Sequence, residues 1–296
     1  MFAACATFLL IIAGALVTSN DAGLSVPDWP TSFGSLYKLP PMVGGVRFEH
    51  THRMVAEFIG LLTIALAVWT QKVDPRSWVR KLGWSALATV VAQGVLGGIT
   101  VLYYLPPAVS TAHATLAQTF FCIMVTMTLV TSRHWTEGAP KPASEVRGAG
   151  LRTLTLLTAA AVYVQLILGA GFRHSGIKLL PHLVSAAVVT VLLLWTSLRI
   201  LRRYAKVAAI RRLGIALLTL LIVQLSLGFA SYLTRVQWGR NAVQPELGMV
   251  IATVAHVAVG ALVLATAVML MLQTRKSLLP ALEPERAATV QKVVAA

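Results

Sequence analysis

Residues 52–71 read HRMVAEFIGLLTIALAVWTQ, an apolar run long enough to cross a membrane hydrocarbon core of roughly 30 Å as a single helix. Further runs of this kind lie near residues 2–18, 83–101, 110–131, 151–171, 179–200, 211–233 and 247–272. The first of these lacks a basic segment before it, so we interpret it as a span and not as a cleaved signal peptide. The sequence therefore predicts an all-α membrane protein with eight transmembrane helices.

Composition and charge agree with this fold class. The 296 residues are 57% hydrophobic and 12% charged, with a mean hydropathy of +0.76, whereas soluble domains are roughly 25% charged. Eighteen of the 25 Lys and Arg residues fall in alternate loops and the C-terminal tail. By the positive-inside rule these segments and both termini are expected on the cytoplasmic side of the cell (inner or plasma) membrane. The net charge of +15 thus indicates topology and gives no reason to expect a nucleic-acid partner.

The chain carries a weak internal repeat. The second and fourth spans of each half begin with a histidine, so that His52 matches His182 and His113 matches His256. Each half has four spans, and both halves should therefore insert the same way up. We expect two pseudo-symmetric four-helix bundles, an N-terminal half at 1–137 and a C-terminal half at 151–275, joined by a cytoplasmic linker at 138–150 and followed by a cytoplasmic tail at 276–296. A short Gln-x-x-Leu-Gly pattern recurs at 93–97, 165–169 and 224–228.

Paired histidines within membrane spans are typical of haem-iron ligands. Facing helices of a four-helix bundle can place one imidazole on each side of a haem plane. Small residues follow the histidines at helical spacing and would leave room for a flat cofactor, namely Ala56, Gly60, Ala117, Ala186 and Gly260. The alternatives are hydrogen-bonded structural histidines or close helix packing.

Other metal sites and other histidines are less favoured. Zinc is disfavoured because each bundle offers only two imidazoles, and Cys5 and Cys122 lie inside apolar runs. We expect His50, His134 and His174 in loops or at interfaces, with His50 as an alternate to His52.

The two halves differ in charge around the first histidine. The first half has Glu49-His50-Thr51-His52-Arg53, whereas the second has Leu179-Leu180-Pro181-His182-Leu183. An acidic first turn and an i, i+4 ion pair are also common purely structural features. Two identical electron-transfer pockets would nevertheless give no reason for a carboxylate in only one, so the asymmetry favours one cofactor pocket and one substrate pocket. Outward arginines, above all Arg53 and Arg173, are candidates to contact haem propionates.

These motifs resemble those of the haem A synthase family over nearly the whole chain. The resemblance is carried by Gly14-Ala15-Leu16-Val17-Thr18, Ser25-Val26-Pro27-Asp28-Trp29-Pro30, Phe48-Glu49-His50-Thr51-His52-Arg53, Gln93-Gly94-Val95-Leu96-Gly97-Gly98, Ala108-Val109-Ser110-Thr111-Ala112-His113, Gly169-Ala170-Gly171-Phe172-Arg173-His174 and Thr253-Val254-Ala255-His256. It implies oxidation of the C8 methyl group of haem O to a formyl group, through successive hydroxylations, to give haem A for cytochrome oxidase.

The resemblance also implies roles for individual residues. His52 and His113 would hold the haem O substrate, His182 and His256 would hold a haem b cofactor, and Glu49 would be catalytic. Haem O synthase and a quinone or another electron acceptor become candidate partners. Some relatives carry a cysteine pair in the first outward loop, but residues 19–51 here contain no cysteine, which puts thiol chemistry in doubt. The remaining alternatives are a dihaem b-type membrane electron carrier and a haem-binding or transport module.

Overall fold

The computed structural model describes residues 1–137, 150–241 and 245–278. Within them, eight helices are long and apolar enough to cross a membrane, as predicted. They are α1 (Phe2–Ser19), α2 (Val46–Val73), α3 (Ser77–Leu102), α4 (Pro107–Val130), α5 (Leu151–Arg173), α6 (Leu179–Arg203), α7 (Ala208–Ser231) and α8 (Leu247–Ser277). The chain is therefore a multi-pass membrane protein. Most of the predicted linker at 138–150 and of the tail at 276–296 lies outside the described residues.

Helix α2 begins earlier than its apolar run. The run starts at His52, but the helix starts at Val46 and takes Glu49 into its first turn. A carboxylate there interacts favourably with the helix dipole. At the other end of the first half, Pro107 starts α4, where its missing N–H costs no helical hydrogen bond. Because α2 begins at Val46, Glu49, His52 and Arg53 all lie on one continuous helix.

The helices of each half pack in the same cyclic order. In the first half α1 packs on α2, α2 on α3, α3 on α4 and α4 on α1; the second half repeats this order with α5, α6, α7 and α8. The halves meet where α1 packs on α8, α4 on α8 and α4 on α5. This repeated packing is consistent with the two predicted bundles, each of which encloses its own pair of histidine-bearing helices.

Apolar packing and hydroxyl pairs hold the helices together. One buried cluster includes Ile59, Phe120, Phe121 and Met124 together with Ala261 and Ala265 of α8. The other includes Leu151, Leu193, Leu217 and Leu264. Hydroxyls pair between helices at Thr158–Thr196 (2.8 Å), Thr155–Thr274 (3.0 Å) and Ser19–Thr253 (2.9 Å). Such pairs contribute about 0.6 kcal/mol each on average in a membrane, so close packing supplies most of the stability.

Candidate functional site

All four predicted ligand histidines lie near the N-terminal ends of even-numbered helices, and each ring rests on a glycine of the preceding helix. His52 lies against Gly14, His113 against Gly97, His182 against Gly169 and His256 against Gly228. A β-carbon on these glycines would come within 3.1, 3.1, 2.9 and 3.0 Å of the histidine Cε1, in that order. In every case Nε2 is the ring nitrogen farther from the glycine. The glycines therefore seat the Cε1–Nδ1 edge and leave Nε2 as the more distant nitrogen.

The structure brings the four histidines together in two pairs. The ring centroids of His182 and His256 are 6.4 Å apart, and the ring planes are nearly perpendicular at 83°. His52 and His113 are close enough to interact electrostatically. A metal ion bound by two imidazoles needs about 2 Å to each nitrogen, so the separation in the second half suits one iron between the rings.

Three of the four rings also meet a glutamine amide. Gln93 donates from Nε2 to the backbone oxygen of His113 (2.9 Å) and lies 3.4 Å from its Nε2. Gln165 Nε2 lies 3.1 Å from both Nδ1 and the backbone oxygen of His182. Gln224 Nε2 lies 3.4 Å from Nε2 of His256. These glutamines belong to the repeated Gln-x-x-Leu-Gly pattern, whose final glycine seats the same ring.

The small residue one turn after His256 makes room for an amide. A β-carbon on Gly260 would lie 3.2 Å from Nε2 of Gln224. By contrast, a β-carbon on Gly60, two turns after His52, would meet nothing within 4 Å. The small residues thus have different surroundings. Gly260 leaves room for the Gln224 amide beside His256, whereas Gly60 borders open space.

Glu49 is buried, with 4% of its surface exposed, and both carboxylate oxygens accept hydrogen bonds. Oε1 accepts from Nη2 of Arg53 at 2.6 Å, and Oε2 accepts from the backbone N–H of Val26 at 2.9 Å. Arg53 also donates to the backbone oxygens of Val26, Asp28 and Thr31. The Glu49–Arg53 pair therefore anchors the loop between α1 and α2, residues 20–45, over the end of α2 that carries His52; this loop is predicted to face outward and is called the outer loop.

The same loop is fixed from two further directions. The Trp29 indole lies on Gly98, where any β-carbon would collide with it. The Asp28 carboxylate accepts hydrogen bonds from Thr31 and from the backbone N–H groups of Phe33 (2.7 Å) and Gly34 (2.8 Å). Burial raises the pKa of Asp28, but these hydrogen bonds outweigh burial and hold the pKa below its ordinary value. The loop is thus an ordered cover whose fastening residues lie at 26–34.

The remaining histidines have other surroundings. His50 Nδ1 lies 3.2 Å from Ser32 Oγ in the outer loop, which favours a role in loop structure. His134 is exposed. His174, expected in a loop or at an interface, is half-buried just after the last residue of α5. Burial, assisted by the positive charge of Arg173, lowers the pKa of His174 to about 4. His174 is therefore neutral at physiological pH.

The two arginines predicted to contact propionates differ in how many guanidinium nitrogens are not used in hydrogen bonds to the protein. Arg53 uses Nη1 and Nη2 for the loop contacts, which leaves Nε for another acceptor. Arg173 reaches from α5 into the first half, where Nη2 donates to Ser19 Oγ (2.7 Å) and to the backbone oxygen of Ala15 (3.0 Å). Arg173 retains Nε and Nη1 and stands at the junction of the two halves.

The residues fit haem better than a metal ion alone. Over the described ranges 1–137, 150–241 and 245–278, no three His, Cys, Asp or Glu side chains form a group that could hold a metal ion. The paired imidazoles meet instead the requirement of haem iron for one axial ligand on each face. Nδ1 of His52, His113 and His256 is buried without a hydrogen-bond partner in the described structure, so these rings have polar atoms that the protein alone leaves unsatisfied.

Reasoning from the sequence missed a buried hydroxyl. Ser110, one turn before His113, is 3% exposed, and its Oγ has no hydrogen-bond partner within the described part of the chain. Ser110 occupies on α4 the place that Glu49 occupies on α2, three residues before the ligand. The sequence signal that could have identified Ser110 is its position three residues before His113, which matches that of Glu49 before His52. Both histidines of the first half therefore have a polar neighbour one turn earlier.

The fold and the site define a membrane protein with two helical bundles and two paired-histidine centres. A family model described as cytochrome oxidase assembly protein matches residues 46–180. The haem A synthase of Symbiobacterium thermophilum is 29% identical over 225 residues, which cover 66% of this chain and 73% of that protein. Those of Halalkalibacterium halodurans (26% identical, 56% of this chain) and Exiguobacterium sp. (29%, 57%) align over 55% and 54% of their own lengths. Over these stretches the chain is similar to haem A synthases. Its matched segment spans about half the length of the latter two relatives.

Proposed function

We propose that the chain is an oxidoreductase that converts haem O to haem A by oxidising the C8 methyl group to a formyl group. The observation that carries this proposal is the contrast between the two centres. Both have two histidines seated on glycines, but only the first has a buried carboxylate one turn from a ligand. The names of the relatives support the same reaction, since each is a haem A synthase.

The contrast also supports a division of labour. His182 and His256 would hold a resident haem b, which when bound supplies one-electron redox chemistry. His52 and His113 would hold haem O as the substrate. Arg173, at the junction of the halves, is the better placed of the two propionate candidates because it retains donors beyond its structural hydrogen bonds. Haem O would come from a haem O synthase, and a quinone or another membrane acceptor would take the electrons.

The surroundings of Glu49 favour electrostatic stabilisation over proton transfer. Each hydroxylation passes two electrons from the methyl carbon to the acceptor, takes its oxygen from water and releases two protons, and the second yields a gem-diol that loses water to give the aldehyde. A carboxylate held by Arg53 and by the N–H of Val26 keeps its position in a site of low dielectric, where it stabilises positive charge that develops on the substrate. The anchored outer loop covers this end of α2 and fixes the position of the carboxylate.

The test is extraction and chromatography of the haems from protein purified out of cells that do or do not make haem O. We expect haem b in both preparations, and haem A with residual haem O only where haem O is made. Haem b alone in both, at two per chain, would instead support the dihaem electron carrier. Unchanged haem O beside haem b would indicate a haem-binding module without oxidising activity.

A further inference from the structure

The four histidine seats are built alike except at one position. Counting back one turn from the seating glycine gives Gln93 before Gly97, Gln165 before Gly169 and Gln224 before Gly228. Before Gly14 the same count gives Leu10. Each ring lies against the main chain of this counted residue, including that of Leu10 beside His52. Leu10 therefore stands where the other three seats have a glutamine.

The glutamine amides have unused hydrogen-bonding capacity that suits a ligand histidine. Their Nε2 groups contact the ring or backbone of the histidine, while Oε1 of Gln93, Gln165 and Gln224 is buried without a partner in the described structure. A histidine that binds iron through one nitrogen carries a proton on the other, and that N–H needs an acceptor. The terminal torsion of a glutamine turns readily, so the Gln224 amide can offer its oxygen to the ring, whereas Gln93 and Gln165 also position their histidines by donating to the histidine backbone oxygen.

His52 lacks this support. No glutamine amide contacts its ring within the described part of the chain, and the aliphatic Leu10 side chain offers no hydrogen-bonding group in place of the amide; the Leu10 main chain lies against the ring, as at the other seats. Glu49 and Arg53, its charged neighbours on α2, are engaged with each other and with the outer loop. His52 is thus oriented by packing and by the Leu10 main chain, whereas the other three rings have the same two contacts and a glutamine amide in addition.

We infer that Gln93, Gln165 and Gln224 are positioning residues for their histidines, and that Leu10 makes His52 the exchangeable ligand of the first centre. This inference rests on the proposed function. A substrate must enter and a product must leave at every turnover, so one weakly held ligand is useful in the substrate centre and harmful in the cofactor centre. Partners of this kind typically change metal affinity by roughly 10- to 100-fold.

The experiment measures ligand exchange rather than activity. The full-length protein loaded with haem b and haem O is reduced without oxygen and mixed with carbon monoxide, which binds only where an axial histidine leaves the iron. In the wild type we expect one of the two haems to react. Leu10→Gln should slow that reaction by roughly tenfold, whereas the matched control Leu10→Ile, which adds no amide, should leave it close to the wild-type rate.

The reverse substitutions provide an independent arm. Gln224→Leu copies the Leu10 arrangement into the second centre and should make haem b reactive to carbon monoxide. Gln93→Leu should speed the loss of haem O to apomyoglobin by roughly tenfold. If the Leu10→Gln protein does not accumulate, the reaction of haem b with carbon monoxide in Gln224→Leu is the deciding test of the inference.

The outcomes separate the two proposals. Equal rates for Leu10→Gln and Leu10→Ile, or haem b that stays unreactive in Gln224→Leu, overturn the inference while the proposed function stands. A wild-type protein that binds no haem O overturns both. Two wild-type haems that react equally with carbon monoxide also overturn the inference.

Discussion

At the scale of single residues, each of the four histidine rings packs against a glycine of the preceding helix, and any larger residue there would crowd the ring. A β-carbon on Gly97 would come within 3.1 Å of Cε1 of His113, whereas one on Gly94 of the same helix would meet nothing within 4 Å. Gly97→Val should therefore displace the ring and lower the haem O content of the purified protein by at least about tenfold, since ligand geometry controls affinity. Haem b in the other half should remain.

Gly94→Val is the matched control, because it places the same bulk at an open position of α3. We expect normal content of both haems in this variant. Loss of haem O from both variants would indicate that α3 tolerates no valine, and the seating role of Gly97 would then be refuted.

Glu49 supports a second prediction at this scale. Glu49→Gln removes the charge but keeps the size of the side chain, so we expect both haems to bind while formation of haem A falls by roughly 100-fold or more, the loss typical of one electrostatic group. Asp28→Asn is the control, since Asp28 also fastens the outer loop. Full haem A production by Glu49→Gln, measured by chromatography of extracted haems, would exclude a catalytic role.

The four span histidines could be picked out from the sequence, but the glycines and glutamines that contact them could not. Four histidines at matching depth are visible without a structure. A glycine in a membrane helix, by contrast, usually indicates close packing, and the Gln-x-x-Leu-Gly pattern gives no hint of what the amide touches. The partners of Gln93, Gln165 and Gln224 are 20, 17 and 32 residues away, and the contacts exist only after α3, α5 and α7 have packed on the next helix.

At the scale of elements, the outer loop after α1 should open in acid. The folded loop holds the pKa of Asp28 below its ordinary value of 3.8, so the ionised carboxylate stabilises the loop above that pH. This stabilisation is lost as the pH falls through the lowered pKa. Hydrogen exchange in a peptide containing Phe33 and Gly34, corrected for intrinsic rates, should therefore accelerate once the pH falls below about 4.

Asp28→Asn tests the cause of this acid response. The variant should exchange faster at neutral pH, because the backbone N–H groups of Phe33 and Gly34 lose an ionised acceptor, and it should show little further change in acid. Protection of the wild-type loop that persists down to about pH 2 would contradict the assignment to this carboxylate.

The start of α2 shows why element boundaries were harder to predict than element number. Arg47, Glu49 and His50 interrupt the apolar signal, so hydropathy places the start at His52, whereas the helix begins at Val46. The guanidinium of Arg47 lies over the ring of Phe48. Glu49 and His50 remain helical because the outer loop supplies their hydrogen-bond partners. That compensation comes from residues 25–32 and is invisible in the pattern of the helix itself.

At the scale of the whole molecule, a polar contact joins the two halves where α1 and α5 end and α8 begins. Arg173 of α5 donates to Ser19 Oγ of α1, and Ser19 pairs in turn with Thr253 of α8. Thr253 lies one turn before the ligand His256. A displacement of α1, which seats His52 on Gly14, is thus linked through a few contacts to the helix that carries a ligand of the second centre.

The orientation of the whole chain follows from its charge distribution and can be tested by labelling. We expect the loop between α1 and α2 outside the cell and the loop between α4 and α5 inside, because the basic residues concentrate on the latter side. Tyr37 is 95% exposed and His134 is also exposed, and replacing either leaves the number of Lys and Arg residues unchanged. In a Cys5→Ser, Cys122→Ser background, an impermeant maleimide should label Tyr37→Cys in intact cells and His134→Cys only after permeabilisation. The opposite pattern would reverse the topology and would put both histidine centres at the cytoplasmic surface.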